Sequence, residues 1–270
     1  MRSKQPRRFF NGADMPDYAA YLKLDELLAL QRPGDEHDEM LFIVVHQSYE
    51  LWFKELLHEI DYLRELLGED QLPRSNHTIK RILTILKMLV AKVDVLETMT
   101  PLEFLGFRER LESGSGFQSR QFREFEFVVG LKRPQPLEQF PPGGADRAQL
   151  ERRYLQPTLW DAFVGFLSAR GFDVPEDVLD RDVTRPVEPS PRIQQTLIDI
   201  YRRQPELAEF CERLVDLDEG IQEWRYRHVK MVERTIGTRS GTGGSTGAEY
   251  LRTTLLQPAF PDLWAIRTEF

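Results

Sequence analysis

The stretch HDEMLFIVVHQSYELWFKELLHEIDYLRELL, residues 37–67, contains neither proline nor glycine. Its apolar positions Leu41, Val44, Val45, Trp52, Leu56, Ile60 and Leu63 follow the helical repeat, which predicts one long helix with a buried face. Pro33 and Gly34 separate it from an upstream pattern, Tyr18, Tyr21, Leu22, Leu27 and Leu28, that predicts a short amphipathic helix over 18–30. Downstream, Ile79, Ile82, Ile85, Leu86, Leu89, Val93 and Leu96 predict a third helix over 76–99.

Thr100, Pro101 and Glu103 form a capping-box start, so a new short helix begins there and ends in the Ser113–Gly116 run. Ser119 opens an aromatic helix through Phe122, Phe125 and Val129 to Gly130. Residues 132–144 are proline-rich and predict a surface connection, 149–170 a helix, and 174–191 a charged excursion. Ser190 and Pro191 start another helix, with a break at Pro205. A second long helix follows to about Ile236, striped by Leu207, Phe210, Leu214, Leu217, Ile221, Trp224, His228, Met231 and Thr235. Beyond the glycine-rich 237–247, a short terminal helix contains Tyr250, Leu251 and Leu255. No period-2 run and no internal repeat is present, so the fold is predicted to be all-α. It is expected to be a single domain over 17–270, with a connection and helical insertion at about 132–191.

Composition narrows the function. The 36 Lys and Arg stand against 44 Asp and Glu, a net charge of −8, which argues against general binding to nucleic acid or an anionic membrane. The single Cys211 rules out an intrachain disulfide and a four-cysteine zinc site, and suits a reducing cytoplasm. The longest apolar run, Met40 to Val45, is far short of the roughly 20 residues that span a bilayer. Residues 1–16 carry Arg2, Lys4, Arg7 and Arg8 without an apolar segment behind them, so they are read as a loose arm rather than a secretory signal.

Of the five histidines, no two lie four apart as a zinc helix requires. His46 shares a helix face with Phe42 and Glu50, and His228 interrupts an apolar stripe on a distant helix. Each is either a core imidazole hydrogen-bonded to its surroundings or a functional group. Glu55 and His58 form the Glu-x-x-His of di-iron bundles, but no second copy exists, which leaves them as a solvated pair. Residues 241–247, GTGGSTG, lack the lysine of a phosphate loop. They are either a linker or a loop that closes over a ligand with the Thr242 hydroxyl as a contact. Phe104, Arg108 and Leu111 share one helix face, where the guanidinium either snorkels outward or clamps a carboxylate. Tyr18 and Tyr21 could equally be packing residues.

Taken together, YLKLDELL (21–28), HDEMLFIVVHQSYELWFKELLHE (37–59), LETMTPLEFLGFR (96–108), SGFQS (115–119), WRYRH (224–228) and GTGGSTG (241–247) resemble the tryptophan 2,3-dioxygenase family. The likeness runs in the family's order over about 17–268. It implies a haem dioxygenase that opens the indole ring of L-tryptophan with O2 to give N-formyl-L-kynurenine. His228 would bind the iron of one haem b per subunit, active as Fe(II), and leave the opposite axial position for dioxygen. His46 would face the indole N–H, Phe42 would stack beside the indole, and Arg108 would pair with the substrate carboxylate. The same likeness puts Thr242 at the substrate ammonium and Ser115 near the haem edge. Tyr18, Tyr21 and Leu22 would enter a neighbouring subunit's pocket in a homotetramer. Some relatives carry Tyr where this chain has Phe104 and Phe122, so Arg108 would anchor the carboxylate without a hydroxyl at position 104. A related oxygenase of tryptophan derivatives in secondary metabolism is the alternative.

Overall fold

The computed structural model describes residues 17–112, 114, 116–241 and 248–270, so the N-terminal arm read over 1–16 lies outside the described residues. Every regular element among them is helical. The first long helix, α3, spans His37–Gly68 and follows two short ones, α1 (Tyr18–Leu22) and α2 (Leu24–Leu28). The single helix predicted over 18–30 is thus two. Lys23 adopts a left-handed φ of 55° and breaks it, and neither piece buries a residue that would hold it straight.

A tight turn, with Asp70 at φ 59°, reverses α3 into α4 (Leu72–Leu96). The α4 stripe is buried as predicted, at Ile79, Ile82, Ile85, Leu86, Leu89, Val93 and Leu96. On α3 the predicted Val45, Leu56, Ile60 and Leu63 are buried, and Tyr49, Phe53 and Leu57 join them, whereas Val44 and Trp52 stay exposed. The helix is apolar on more than one side, so periodicity alone left its orientation open.

The capping box at Thr100 starts α5 (Pro101–Arg108), with the Thr100 N–H donating to Glu103 at 2.6 Å. Ser119 caps α6 (Arg120–Val129), which ends at Gly130 with a φ of 114° that favours glycine. The helix predicted over 149–170 is again two, α7 (Ala145–Tyr154) and α8 (Leu159–Ala169), because Thr158 and Asp161 form a second capping box between them. Nor is 132–144 a plain surface connection. Lys132, Leu137 and Phe140 are buried, and the Lys132 ammonium donates to the carbonyls of Arg153, Tyr154 and Gln156 at the end of α7. After the short α9 (Glu176–Leu179), the break at Pro205 divides α10 (Pro191–Arg203) from α11 (Pro205–Ile236). Two α-helices, α12 (Ala248–Thr253) and α13 (Pro261–Ala265), and a final 3-10 turn (Ile266–Glu269) close the chain. The buried Asp218 of α11 holds the approach to α13, accepting from Ala259 N, Phe260 N and Trp264 Nε1 at 2.9–3.1 Å.

What positions the site is the central position of α4. Both α3 and α11 pack along it, with little direct backbone contact between them. Gly220 lets α11 come close, since a Cβ there would meet Leu86 Cδ2 at 2.8 Å. Beyond that contact α3 and α11 face each other across a space, closed by α5 and α6.

One buried carboxylate ties this region together. Glu126 of α6 accepts from Arg123 at 2.6 Å, Arg133 at 2.9 Å and Arg225 of α11 at 2.8 Å. Burial alone would push the carboxyl up, but the three guanidinium groups hold it down, at about 2. Because the folded value lies below the ordinary 4.5, this contribution to stability is complete above about pH 4.5 and is lost as pH falls towards 2. Glu126→Gln is expected to cost about 3–5 kcal/mol in urea unfolding at pH 7. It should also flatten the acid dependence between pH 4.5 and 2, and a variant as stable and as acid-sensitive as the parent would contradict this account.

Candidate active site

The stripe of α11 changes role along its length. Leu207, Phe210, Leu214, Leu217 and Ile221 are buried in the core, whereas Trp224, His228, Met231 and Thr235 line the space between the helices. The His228 ring stacks on Trp224 one turn earlier, with centroids 5.0 Å apart and planes 11° from parallel. Burial first, then the Arg123 guanidinium and His46, push its pKa down to about 4, so the imidazole is neutral near pH 7. Among the described residues no hydrogen bond occupies either ring nitrogen. A neutral imidazole with nitrogens uncommitted to protein is a ready metal ligand.

His46 enters the same space from α3. Its Nδ1 lies 2.7 Å from the Phe42 carbonyl oxygen, and since a carbonyl only accepts, Nδ1 carries the proton. The lone pair is therefore on Nε2. Burial lowers the pKa of this ring, with the Phe42 carbonyl and Glu50 acting in the opposite direction. Two neutral imidazoles thus line one cavity from helices that scarcely touch.

The cavity has a volume of about 590 Å³, within the ~300–1,000 Å³ typical of small-molecule and cofactor sites. Its walls are mainly apolar, with a run of aromatic rings among them. Phe42 lies 4.0 Å from the His46 ring and 6.0 Å from Phe104, centroid to centroid. Phe53 and Phe122 pack at 5.4 Å, and Phe122 meets Trp224 at 4.6 Å. Arg108 at the end of α5 also lines the cavity, and its Nη2 donates to the Ser240 carbonyl at 2.6 Å. The arrangement offers one guanidinium beside an apolar slot, with an imidazole from α3 and another from α11. Among the described residues no cluster of three or more His, Cys, Asp or Glu could hold a bare ion. A metal at His228 would therefore take its other ligands from a non-protein group, and a flat apolar macrocycle suits the aromatic walls.

The family model described as tryptophan 2,3-dioxygenase matches residues 1–139 and 194–270. The chain belongs to the tryptophan 2,3-dioxygenase family. It is 59% identical over 255 residues to the tryptophan 2,3-dioxygenase of Herpetosiphon aurantiacus, covering 93% of this chain and 97% of that one. The tryptophan 2,3-dioxygenases of Anaeromyxobacter sp. strain K and Caulobacter vibrioides are 55% and 42% identical, each over 93% of this chain and over 94% and 97% of their own.

Of the residues singled out in the sequence, Phe42, His46, Phe104, Arg108 and His228 line one cavity. Tyr18, Tyr21 and Leu22 do not. They lie on α1, 75%, 75% and 42% exposed, away from the cavity of their own chain. Ser115 and Thr242 lie outside the described residues. Glu55 and His58 are off the cavity. Sequence reasoning missed Gln121, Arg123, Glu126 and Arg225. Arg225 could have been suspected, standing one turn before His228 on the same face, but nothing local marks Glu126 as its partner.

Proposed function

We propose that this chain is a haem-dependent dioxygenase that cleaves the indole C2–C3 bond of L-tryptophan with O2 to give N-formyl-L-kynurenine, the first step of tryptophan degradation by the kynurenine route. The observation that carries the reading is the pair of neutral imidazoles lining one aromatic-walled cavity in a member of this family. His228 is the residue that would hold the iron of haem b. Bound there as Fe(II), that group would supply the activation of dioxygen for addition across the electron-rich double bond.

The chain's own residues bind and orient the substrate. Arg108 pairs with the substrate carboxylate, which takes over from the Ser240 carbonyl as guanidinium partner. Phe42 and Phe104 pack on the indole and keep water out of the slot. His46 Nε2 accepts a hydrogen bond from the indole N–H, while its Nδ1–H stays on the Phe42 carbonyl and fixes the ring. Drawing on that proton leaves more electron density on the ring carbons. Thr242 takes the substrate ammonium and Ser115 stands near the haem edge. Tyr18, Tyr21 and Leu22, exposed on their own chain, complete a neighbouring copy's pocket within a homotetramer. Among the described residues no helix is long and apolar enough to cross a membrane. The lone, buried Cys211 accords with a reducing cytoplasm as the place of action.

Anaerobic addition of L-tryptophan to the ferrous protein, followed by oxygen, should yield N-formylkynurenine. A mono-oxygenated indole product would select instead an oxygenase of tryptophan derivatives. His228→Ala should lose tightly held haem, and an unchanged haem absorption spectrum would overturn the ligand assignment. His46→Ala should keep haem and lower kcat by on the order of 10²-fold, the lower end of general-base effects, because an indole can react without full proton removal. Arg108→Ala should weaken tryptophan binding by roughly 10- to 100-fold, matching the loss of about 1.5–3 kcal/mol for a charge-assisted hydrogen bond. Phe104→Tyr, by adding a hydroxyl beside that carboxylate, should tighten it.

A further inference from the structure

Among the described residues two acidic side chains line the cavity, Glu50 and Glu126. Glu126 is neutralised by three arginines. Glu50 is different. Its partner is the neutral Gln121 of α6, whose Nε2 donates at 2.8 Å to both the Glu50 carboxylate and the Glu50 backbone carbonyl. A carboxylate held in a cavity wall by an amide keeps its charge available to whatever forms nearby. One turn before it on α3, on the same face, is His46.

We propose that Glu50 is a positioning residue for His46: pinned by Gln121, its carboxylate stabilises the positive charge that builds on the imidazole as Nε2 draws on the proton of the substrate's ring N–H. The proton is shared between the indole nitrogen and Nε2, the N–H electron pair stays with the indole, and the charge gained by the imidazole is balanced by Glu50. The inference rests on the proposed function for the identity of the proton donor. The other charged groups around the cavity act in the opposite sense. Arg108 of α5, Arg123 of α6 and Arg225 of α11 are cationic, and His228 faces the space from α11. From α4 come only the apolar Val93 and Leu96, and α8 contributes nothing to the lining. Glu126 is tied up by its arginines. Glu50 is thus the acidic group that favours a charged His46, and it works against the burial that disfavours one.

Histidine-selective 15N NMR tests this without turnover, since five histidines give few signals and the His46 signal is the one missing from His46→Gln. In Glu50→Gln, nearly isosteric and still able to accept from Gln121, the His46 titration midpoint should fall by roughly 0.5 pH unit or more. An unchanged midpoint would overturn the proposal. If that variant does not fold, Gln121→Leu, which frees the carboxylate to move away, should give a smaller fall of the same sign, and no fall would count equally against it. In the holoenzyme, Glu50→Gln should lower kcat about tenfold in the parent yet change little when His46 is already Ala, the non-additivity of groups acting as one unit. Equal losses in both backgrounds would mean that Glu50 acts through something other than His46. A parent that fails to cleave tryptophan would refute the functional reading, while the NMR titration would still decide whether Glu50 governs His46.

Discussion

The site depends on a packing constraint: α3 and α11 are both committed to α4 and so cannot close on each other. Their side chains beyond the shared core must be covered from elsewhere, and α5 and α6 do this only at the margins, leaving a cavity between the helices. Close packing of the Ile- and Leu-rich face of α4, tightened where Gly220 meets Leu86, sets the separation of the two long helices. That separation decides which residues of each stripe become core and which become wall. His46 and His228 share a cavity for this reason, although 182 positions part them in the chain.

Electrostatics then sets the state of the wall. Burying a charge without a partner is costly, so each imidazole stays neutral and the arginines on the α6 side are gathered around Glu126. This cluster serves the fold and the site together. It fastens α6 to α11 through Arg225, one turn before His228, and the Arg123 guanidinium adds to the pressure that keeps His228 unprotonated. Hydrogen-bond commitment completes the assignment. With Nδ1 of His46 tied to the Phe42 carbonyl, the ring offers the cavity an acceptor.

Much of the helix plan could be read locally, and the differences are informative. Caps written in adjacent residues are legible, as at Thr100 and Ser119, whereas the Thr158 capping box is masked by an otherwise helical pattern. Lys23 breaks the N-terminal pattern without any proline or glycine to announce it. The last helix, α13, carries little periodicity of its own and is held by the distant Asp218. Lys132 looks like a surface residue in a proline-rich run, yet it is buried because three carbonyls at the end of α7 accept hydrogen bonds from its ammonium.

By itself the sequence determined the all-α class, the long helices, the break at Pro205 and the presence of an unusual histidine on each of two apolar stripes, because helical periodicity and capping are local properties. It also carried the family, since several long motifs occur in register. The tertiary structure decided which face of α3 is buried, that both histidines line one space, that Glu126 gathers the three arginines, and that Gln121 of α6 donates to Glu50. Those facts depend on the angle and spacing at which separate helices meet. No local pattern encodes them, because they arise from packing the whole set of side chains at once.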